Sequence, residues 1–246
     1  MSGVAGADPA VTVVRADSDV GEVALRRRDD VTELIVGGAF VMDTVDVSTE
    51  VELATMALSR HRAPRRVLVG GLGLGFTAEA VLDDPRVEEV TVVEVARPLV
   101  EWAGAGLLPT DLHDPRLRLE VGDVAGALAR SERTWDLVLL DVDNGPGFLV
   151  HPANAGLYSH LGVQRAYDVL AVGGVLAIWS SHRAPELAAM MREVSRCRGG
   201  GQVEEAVRVV EREGRRLEYA IYLMNRAPEP AEVPGRTDLV PSPPPE

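Results

Sequence analysis

Four carboxylates and a run of glycines carry the chemistry this sequence could perform. Gly71, Gly73 and Gly75 recur in the stretch Gly70-Gly71-Leu72-Gly73-Leu74-Gly75-Phe76-Thr77, directly after an apolar run. Glycines at this spacing let the backbone turn sharply and let a ligand lie against main-chain N–H groups at the start of a helix. Close packing of a strand on a helix accounts for the same glycines without a ligand. Glu94 favours the ligand. It ends an apolar run 23 residues after Gly71, where nucleoside-binding sheets set an acid that accepts hydrogen bonds from both ribose hydroxyls. Asp123, after Gly122, stands where adenosyl-binding folds bring an acid to the adenine amino group, and it suits the N-cap of the next helix equally. Asp141 closes Leu137-Val138-Leu139-Leu140. A carboxylate there can accept the proton of an attacking nucleophile, provided burial lifts its pKa from the ordinary ~3.9. Asp143 follows in the same loop, and Tyr158 opens the next helix within a Leu-Tyr pair. Both are candidate substrate contacts.

These residues need a scaffold that delivers them to one edge. Residues 66–70, 89–94, 117–121, 136–141 and 174–179 are nearly continuous apolar runs, and helical stretches lie near 75–83, 97–105, 124–131 and 157–171. Apolar strands alternating with helices predict a parallel sheet covered on both faces, with ligands bound at the carboxyl ends of its strands. Residues 203–211 and 215–224 predict a hairpin turning at Glu213-Gly214 that closes the sheet antiparallel, giving seven strands in all. Ahead of this α/β unit, short apolar runs at 23–25, 33–36 and 39–42, with the turn pair Gly37-Gly38, predict a small antiparallel β-element over 11–48. Ser48 or Thr49 is the expected N-cap of a helix running through Leu58. The nucleoside-binding domain is expected over 49–226. Residues 1–10 and the tail 227–246, with seven prolines, are expected to be disordered.

Composition removes several classes of function. The formal net charge is −13, which argues against a nucleic-acid or anionic-membrane partner and suits a cationic substrate. Every basic residue is arginine, so Schiff-base chemistry and a lysine-bearing phosphate loop are excluded. Cys197 is the only cysteine, so no disulfide forms within the chain. His151 and His160 lack a third ligand at suitable spacing, and no metal is expected. With no signal-peptide layout or apolar span of ~18 residues, the expected location is cytoplasmic.

Taken together, the chain resembles the spermidine synthase family over roughly residues 22–225. The matching pieces are Val67-Leu68-Val69 into the glycine loop, Val92-Val93-Glu94, Asp114-Pro115-Arg116, Gly122-Asp123, Asp141 with Gly145-Pro146, Leu157-Tyr158 and Gly173-Gly174-Val175-Leu176. The resemblance implies a Rossmann-like class I methyltransferase fold and S-adenosylmethionine or its decarboxylated form as cofactor. It implies a small-molecule acceptor, possibly an amine, and a homodimer. Glu94 would hold the ribose, Asp123 the adenine, and Asp141 would orient or deprotonate the attacking amine. Three departures shape the expected reaction. The family's aspartate between the loop glycines falls at Leu74, its Tyr-His-Glu cluster is replaced by Thr49-Glu50-Val51-Glu52-Leu53, and its glutamine after the small β-element is replaced by Val41. Amine-holding groups thus seem thinned while nucleoside-holding groups persist. Methyl transfer to a small molecule is the expected reaction on that ground. Aminopropyl transfer, with an amine pocket rebuilt from Asp141, Asp143 and Glu50 or Glu52, is the alternative. A third reading is a binding or assembly protein that kept the fold without turnover.

Overall fold

The computed structural model describes residues 12–142, 145–147, 149, 152–212 and 214–227. The disorder expected for 1–10 and for the tail beyond Ala227 lies outside the described residues, as do Asp143 and His151.

The chain begins with four strands, β1 (Thr12–Ser18), β2 (Gly21–Arg28), β3 (Val31–Val36) and β4 (Ala39–Asp43), paired in chain order as an antiparallel meander. Val23, Leu25 and Leu34 join the main core, Ala24 between the first two is buried as well, and the charged ends of β2, Glu22, Arg27 and Arg28, are exposed. Strand β1 was not expected from the sequence. Arg15, Asp17 and Ser18 interrupt it, and its residues are exposed or half-buried, so the apolar signal is weak.

The main unit runs α1 (Ser48–Ser59), β5 (Arg66–Gly70), α2 (Phe76–Leu82), β6 (Glu89–Glu94), α3 (Arg97–Gly104), β7 (Leu117–Val121), α4 (Val124–Arg130), β8 (Trp135–Leu140), α5 (His160–Asp168), β9 (Leu170–Ser180), α6 (Pro185–Cys197), β10 (Val203–Arg212) and β11 (Arg215–Asn225). Its seven strands lie in the order β10-β11-β9-β8-β5-β6-β7, and β11 alone runs against the others. This is the expected Rossmann-like sheet with its antiparallel closing hairpin. Alternate strand residues feed two cores. Val67, Val69, Val92 and Leu139 pack under α1, α2 and α3, while Leu68, Val138, Leu140 and Ile178 pack under α4, α5 and α6. Among the described residues, no helix is long and apolar enough to cross a membrane.

Three expectations are corrected. The N-cap of α1 is Val47, not Ser48 or Thr49; Asp46 Oδ1 accepts from the Ser48 N–H instead, at 2.9 Å, so the turn is made one step earlier. The helix expected over 157–171 is shorter at both ends. Ser159 caps α5 by accepting from the Gly162 N–H, and the chain enters β9 at Leu170, where a bulge at Ala171–Gly174 absorbs extra residues against β8. Helix α6 was unassigned, although Leu187, Ala188, Met191, Val194 and Ser195 form a helical stripe after Pro185.

Candidate functional site

The sheet order reverses at β5, with β6 on one side and β8 on the other. The loops leaving these strands therefore splay apart and open a crevice. Gly71 stands at its root with φ +89°, and a Cβ there would lie 2.1 Å from the Asp141 carbonyl oxygen. Only glycine lets the ends of β5 and β8 close this far. Beyond it the loop's donors turn inward. The Gly71 N–H bonds Val93 O (2.9 Å), the Leu72 N–H bonds Glu94 Oε2 (2.8 Å), the Gly75 N–H bonds Leu72 O (2.8 Å), and the Leu74 N–H reaches Met42 Sδ (3.4 Å). A diphosphate needs several free N–H groups at this place. Four of them are already engaged, so the cleft suits a nucleoside without phosphate far better than a dinucleotide.

Leu74 does not stand where the resemblance suggested. Its side chain is fully buried in the core beneath α2, and its carbonyl accepts from Thr110 Oγ1 at 2.8 Å. Gly71 and Gly73 are the loop residues that border the cleft. Leu74 therefore offers the cleft no side chain.

Glu94 is the polar floor of the cleft. Its Oε1 accepts from the Ala96 N–H (2.7 Å) and its Oε2 from the Leu72 N–H. Burial pushes its carboxyl above the usual range, and the Ala96 and Leu72 bonds pull it back. A carboxylate offers about four acceptor sites, so Glu94 keeps capacity for two hydroxyls. The walls are apolar: Val20, Leu34, Val36 and Val41 from the meander, Leu99 from α3, and Val142 after β8 enclose about 110 Å³. Gly122 donates its N–H to the Glu94 carbonyl (2.9 Å) and so fixes the end of β7 beside the cleft. Asp123 caps α4 by accepting from the Ala125 N–H at 2.9 Å, and its side chain is exposed. It does not line the cleft. Tyr158 is also repositioned. Its buried hydroxyl donates to Val142 O at 2.6 Å and the residue lines neither cavity, so it braces the loop after β8 rather than meeting substrate.

A second, larger cavity of about 460 Å³ adjoins the first, the two sharing Val41. Glu33, Asp43, Asp46 and Glu50 line it, with Thr49, Ser181, Trp179 and Tyr219, and among the described residues none that lines it is basic. The carboxylates are held in place. Glu33 pairs with Arg26, Asp43 Oδ1 accepts from the Val45 N–H (2.9 Å), and Glu50 Oε2 accepts from the Thr49 hydroxyl (2.8 Å). Glu33 and Asp43 sit directly opposite each other across β3 and β4, an arrangement that costs stability and makes sense for a chamber that receives positive charge. Trp179 and Tyr219 add ring faces, their centroids 5.6 Å apart, of the kind that attract ammonium groups. Among the described residues, no three His, Cys, Asp or Glu side chains converge to hold a metal ion. The acids are spread along the wall, which suits an extended cation. Acidic side chains thus line this cavity, although the 49–53 stretch and Val41 led to the expectation of a thinned set. The meander and α1 supply them.

Asp141 lines the first cavity and Glu50 the second. The Thr77 hydroxyl donates to Asp141 Oδ2 at 2.6 Å. Burial raises Asp141 to about 6. Glu50 goes up to about 7, through burial first and then through repulsion by Asp141.

Sequence reasoning did not find Glu33, Asp43 or Asp46. Their signal is the position of acids at the ends of β3 and β4, which acquires meaning only once the meander folds over the sheet edge.

A model of the spermine/spermidine synthase domain matches residues 47–210. The chain is 29% identical over 139 residues to a polyamine aminopropyltransferase of Bacillus mycoides, covering 53% of this chain and 50% of that protein. It is 31% identical over 140 residues to a polyamine aminopropyltransferase of Desulforudis audaxviator, covering 56% and 49% respectively. In these alignments the chain spans about half the length of the curated relatives it matches. In three dimensions it resembles a spermidine synthase solved with the transition-state analogue AdoDATO, with a TM-score of 0.73 and 19% identity over 88% of this chain and 74% of the other. The spermidine synthase of Thermotoga maritima gives a TM-score of 0.71 at 19% identity, covering 88% of this chain and 73% of that one. At that identity the likeness concerns the fold.

Proposed function

Because the chain belongs to the spermine/spermidine synthase domain family, we propose that it transfers an aminopropyl group from decarboxylated S-adenosylmethionine to a small polyamine acceptor. The observation that carries the acceptor is the chamber of Glu33, Asp43, Asp46 and Glu50, open beside the nucleoside cleft and, among the described residues, lined by no basic side chain. An acceptor with several ammonium groups suits such a chamber, and the choice of the aminopropyl over the methyl group rests on the family. The curated relatives, named as polyamine aminopropyltransferases, support the same choice.

The residues present fit the proposed donor. Glu94 and the Gly71–Gly73 backbone would hold its ribose. Asp141 would sit beside its cationic end. A sulfonium carries its own leaving group, so the protein's contribution is alignment, exclusion of water and removal of one proton. Alignment alone is worth ~7–11 kcal/mol when both reactants are held in line. The apolar walls of the cleft exclude water, and the aromatic pair with the acids orients the acceptor nitrogen toward the junction at Val41. Both Asp141 and Glu50 stand at that junction with raised pKa values, as a base working near neutrality requires.

The test is direct. Purified protein is offered the sulfonium nucleoside and its decarboxylated form, each with diaminobutane and with spermidine, and products are resolved by mass. An amine heavier by one aminopropyl unit is expected only with the decarboxylated donor. A methylated amine from the carboxylated donor would reverse the assignment.

A further inference from the structure

We infer that Asn154 selects the base of the nucleoside, its carboxamide donating to a ring nitrogen of adenine and accepting from the amino group beside it. The inference rests on the proposed donor in its nucleoside part alone and adds the group that reads the base.

Among the described residues, three polar side chains line the nucleoside cleft: Glu94, Asp141 and Asn154. Two of them are carboxylates, which when ionised only accept hydrogen bonds. The backbone donors of Gly71, Leu72, Leu74 and Gly75 are engaged within the fold, and the Ala96 N–H is spent on Glu94. Asn154 is therefore the lining side chain, among those described, that can donate without first taking up a proton. A purine base calls for such a donor. On each of its two polar edges adenine sets a ring nitrogen, which accepts, next to the amino group, which donates. A carboxamide matches that pair with its NH2 and its oxygen, as asparagine does when it reads adenine in nucleic acids. The fold holds this amide ready. Asn154 lies in a short 3-10 turn, Pro152–Gly156, that leads toward α5. The Leu157 N–H bonds the Asn154 carbonyl at 2.9 Å, and the Leu157 side chain is buried in the core under α4, α5 and α6. The Tyr158 hydroxyl donates to Val142 O at 2.6 Å. The turn is thus pinned at its exit and tied, through Val142, to the wall of the same cleft. The Asn154 side chain is half-buried and makes no hydrogen bond among the described residues, so its donors and its acceptor are left for a ligand. Val95, Ala96, Leu99 and Val142 supply apolar surface for the faces of the ring.

Calorimetry with methylthioadenosine, the thioether that the proposed donor leaves behind, tests this without turnover. The probes are the parent nucleoside, its 1-deaza and 7-deaza analogues, in which a C–H replaces one ring nitrogen, and its 6-desamino analogue. The variants are Asn154→Leu and Asn154→Asp, the second keeping the shape and the acceptor while losing both N–H donors. Thermal melts check that each variant folds. The wild type should bind one of the two deaza analogues about 5–10-fold more weakly than the parent, the loss expected of one neutral hydrogen bond. Asn154→Leu and Asn154→Asp should bind the parent about 10-fold more weakly and no longer distinguish it from that analogue. Removal of the amino group should cost Asn154→Leu less than it costs the wild type. A purely structural role for Asn154 would weaken parent and analogues alike and keep the wild-type discrimination, and that result overturns the inference. So does a wild type that binds both deaza analogues as tightly as the parent. Transfer assays separate this inference from the functional reading. A protein that discriminates through Asn154 but moves no aminopropyl group sinks the reading and leaves the base contact standing. Transfer without discrimination through Asn154 does the reverse, and a wild type that binds no thioether nucleoside sinks both.

Discussion

The donor cleft and the acceptor chamber lie side by side and are built by opposite means. The cleft is a backbone structure. Gly71 lets β5 close on β8, the loop's N–H groups are tied to Val93 O, Leu72 O and Glu94, and one side chain supplies the polar floor. The chamber is a side-chain structure. Its acids come from β3, β4, the turn before α1 and α1 itself, and its rings from β9 and β11. A site made of backbone is rigid and is specified by a short stretch of sequence. A site made of side chains from distant segments is tunable one residue at a time. The difference separates what the family domain keeps from what an individual member can change.

Four variants would break or sharpen that contrast. The largest effect is expected from Gly71→Ala. Its methyl would meet the Asp141 carbonyl in a backbone region that L-residues avoid, so stability should fall by about 3–5 kcal/mol and donor affinity should be lost; chemical denaturation and calorimetry measure both. A chamber substitution should do the reverse. Glu50 ionises in the folded chain near 7 instead of near 4.5, and the folded state therefore binds protons more tightly than the unfolded one. Stability is highest below the unfolded value and declines as pH rises through about 7. Glu50→Gln should remove most of that decline and leave the protein more stable than wild type in mildly alkaline buffer, by about 2–3 kcal/mol. Melting curves across the pH range test this, and identical pH dependence in both proteins would refute it.

Smaller effects should divide between the two cavities. Glu94→Gln keeps the shape but removes the charge from several hydrogen bonds, and a cost of about 1.5–3 kcal/mol corresponds to roughly 10–100-fold in donor affinity. The amine KM should stay put. Asp43→Asn combined with Asp46→Asn should raise the amine KM by about 5–10-fold, since one buried and one exposed charge lost from the same wall contribute about 1 kcal/mol together. It should leave donor affinity unchanged, and added salt should reproduce much of the effect in the wild type. If the pair altered donor affinity instead, the division between cavities would be wrong.

Much of the cleft was legible from the chain alone. Periodicity placed β5 to β9 and the closing hairpin within a few residues, because strands buried on both faces leave near-continuous apolar runs. The Gly71 to Glu94 offset followed from one βα unit, whose length is set locally. Tyr158, Leu74 and Asp123 were harder. Each was located correctly in sequence, yet which way its side chain points depends on neighbours. Tyr158 turned to Val142, Leu74 into the core, and Asp123 to its own helix.

The sequence by itself determined the α/β unit, its nucleoside edge and the acidic balance that suits a cation. Only the tertiary structure decided where those acids go. Glu33, Asp43, Asp46 and Glu50 gather on one chamber because the meander packs Val23, Leu25 and Leu34 into the same core as α1 and the sheet. The burial of those three apolar residues seats the meander, and with it Glu33 and Asp43, over the sheet edge. No pattern within either segment records a partner that lies across the fold.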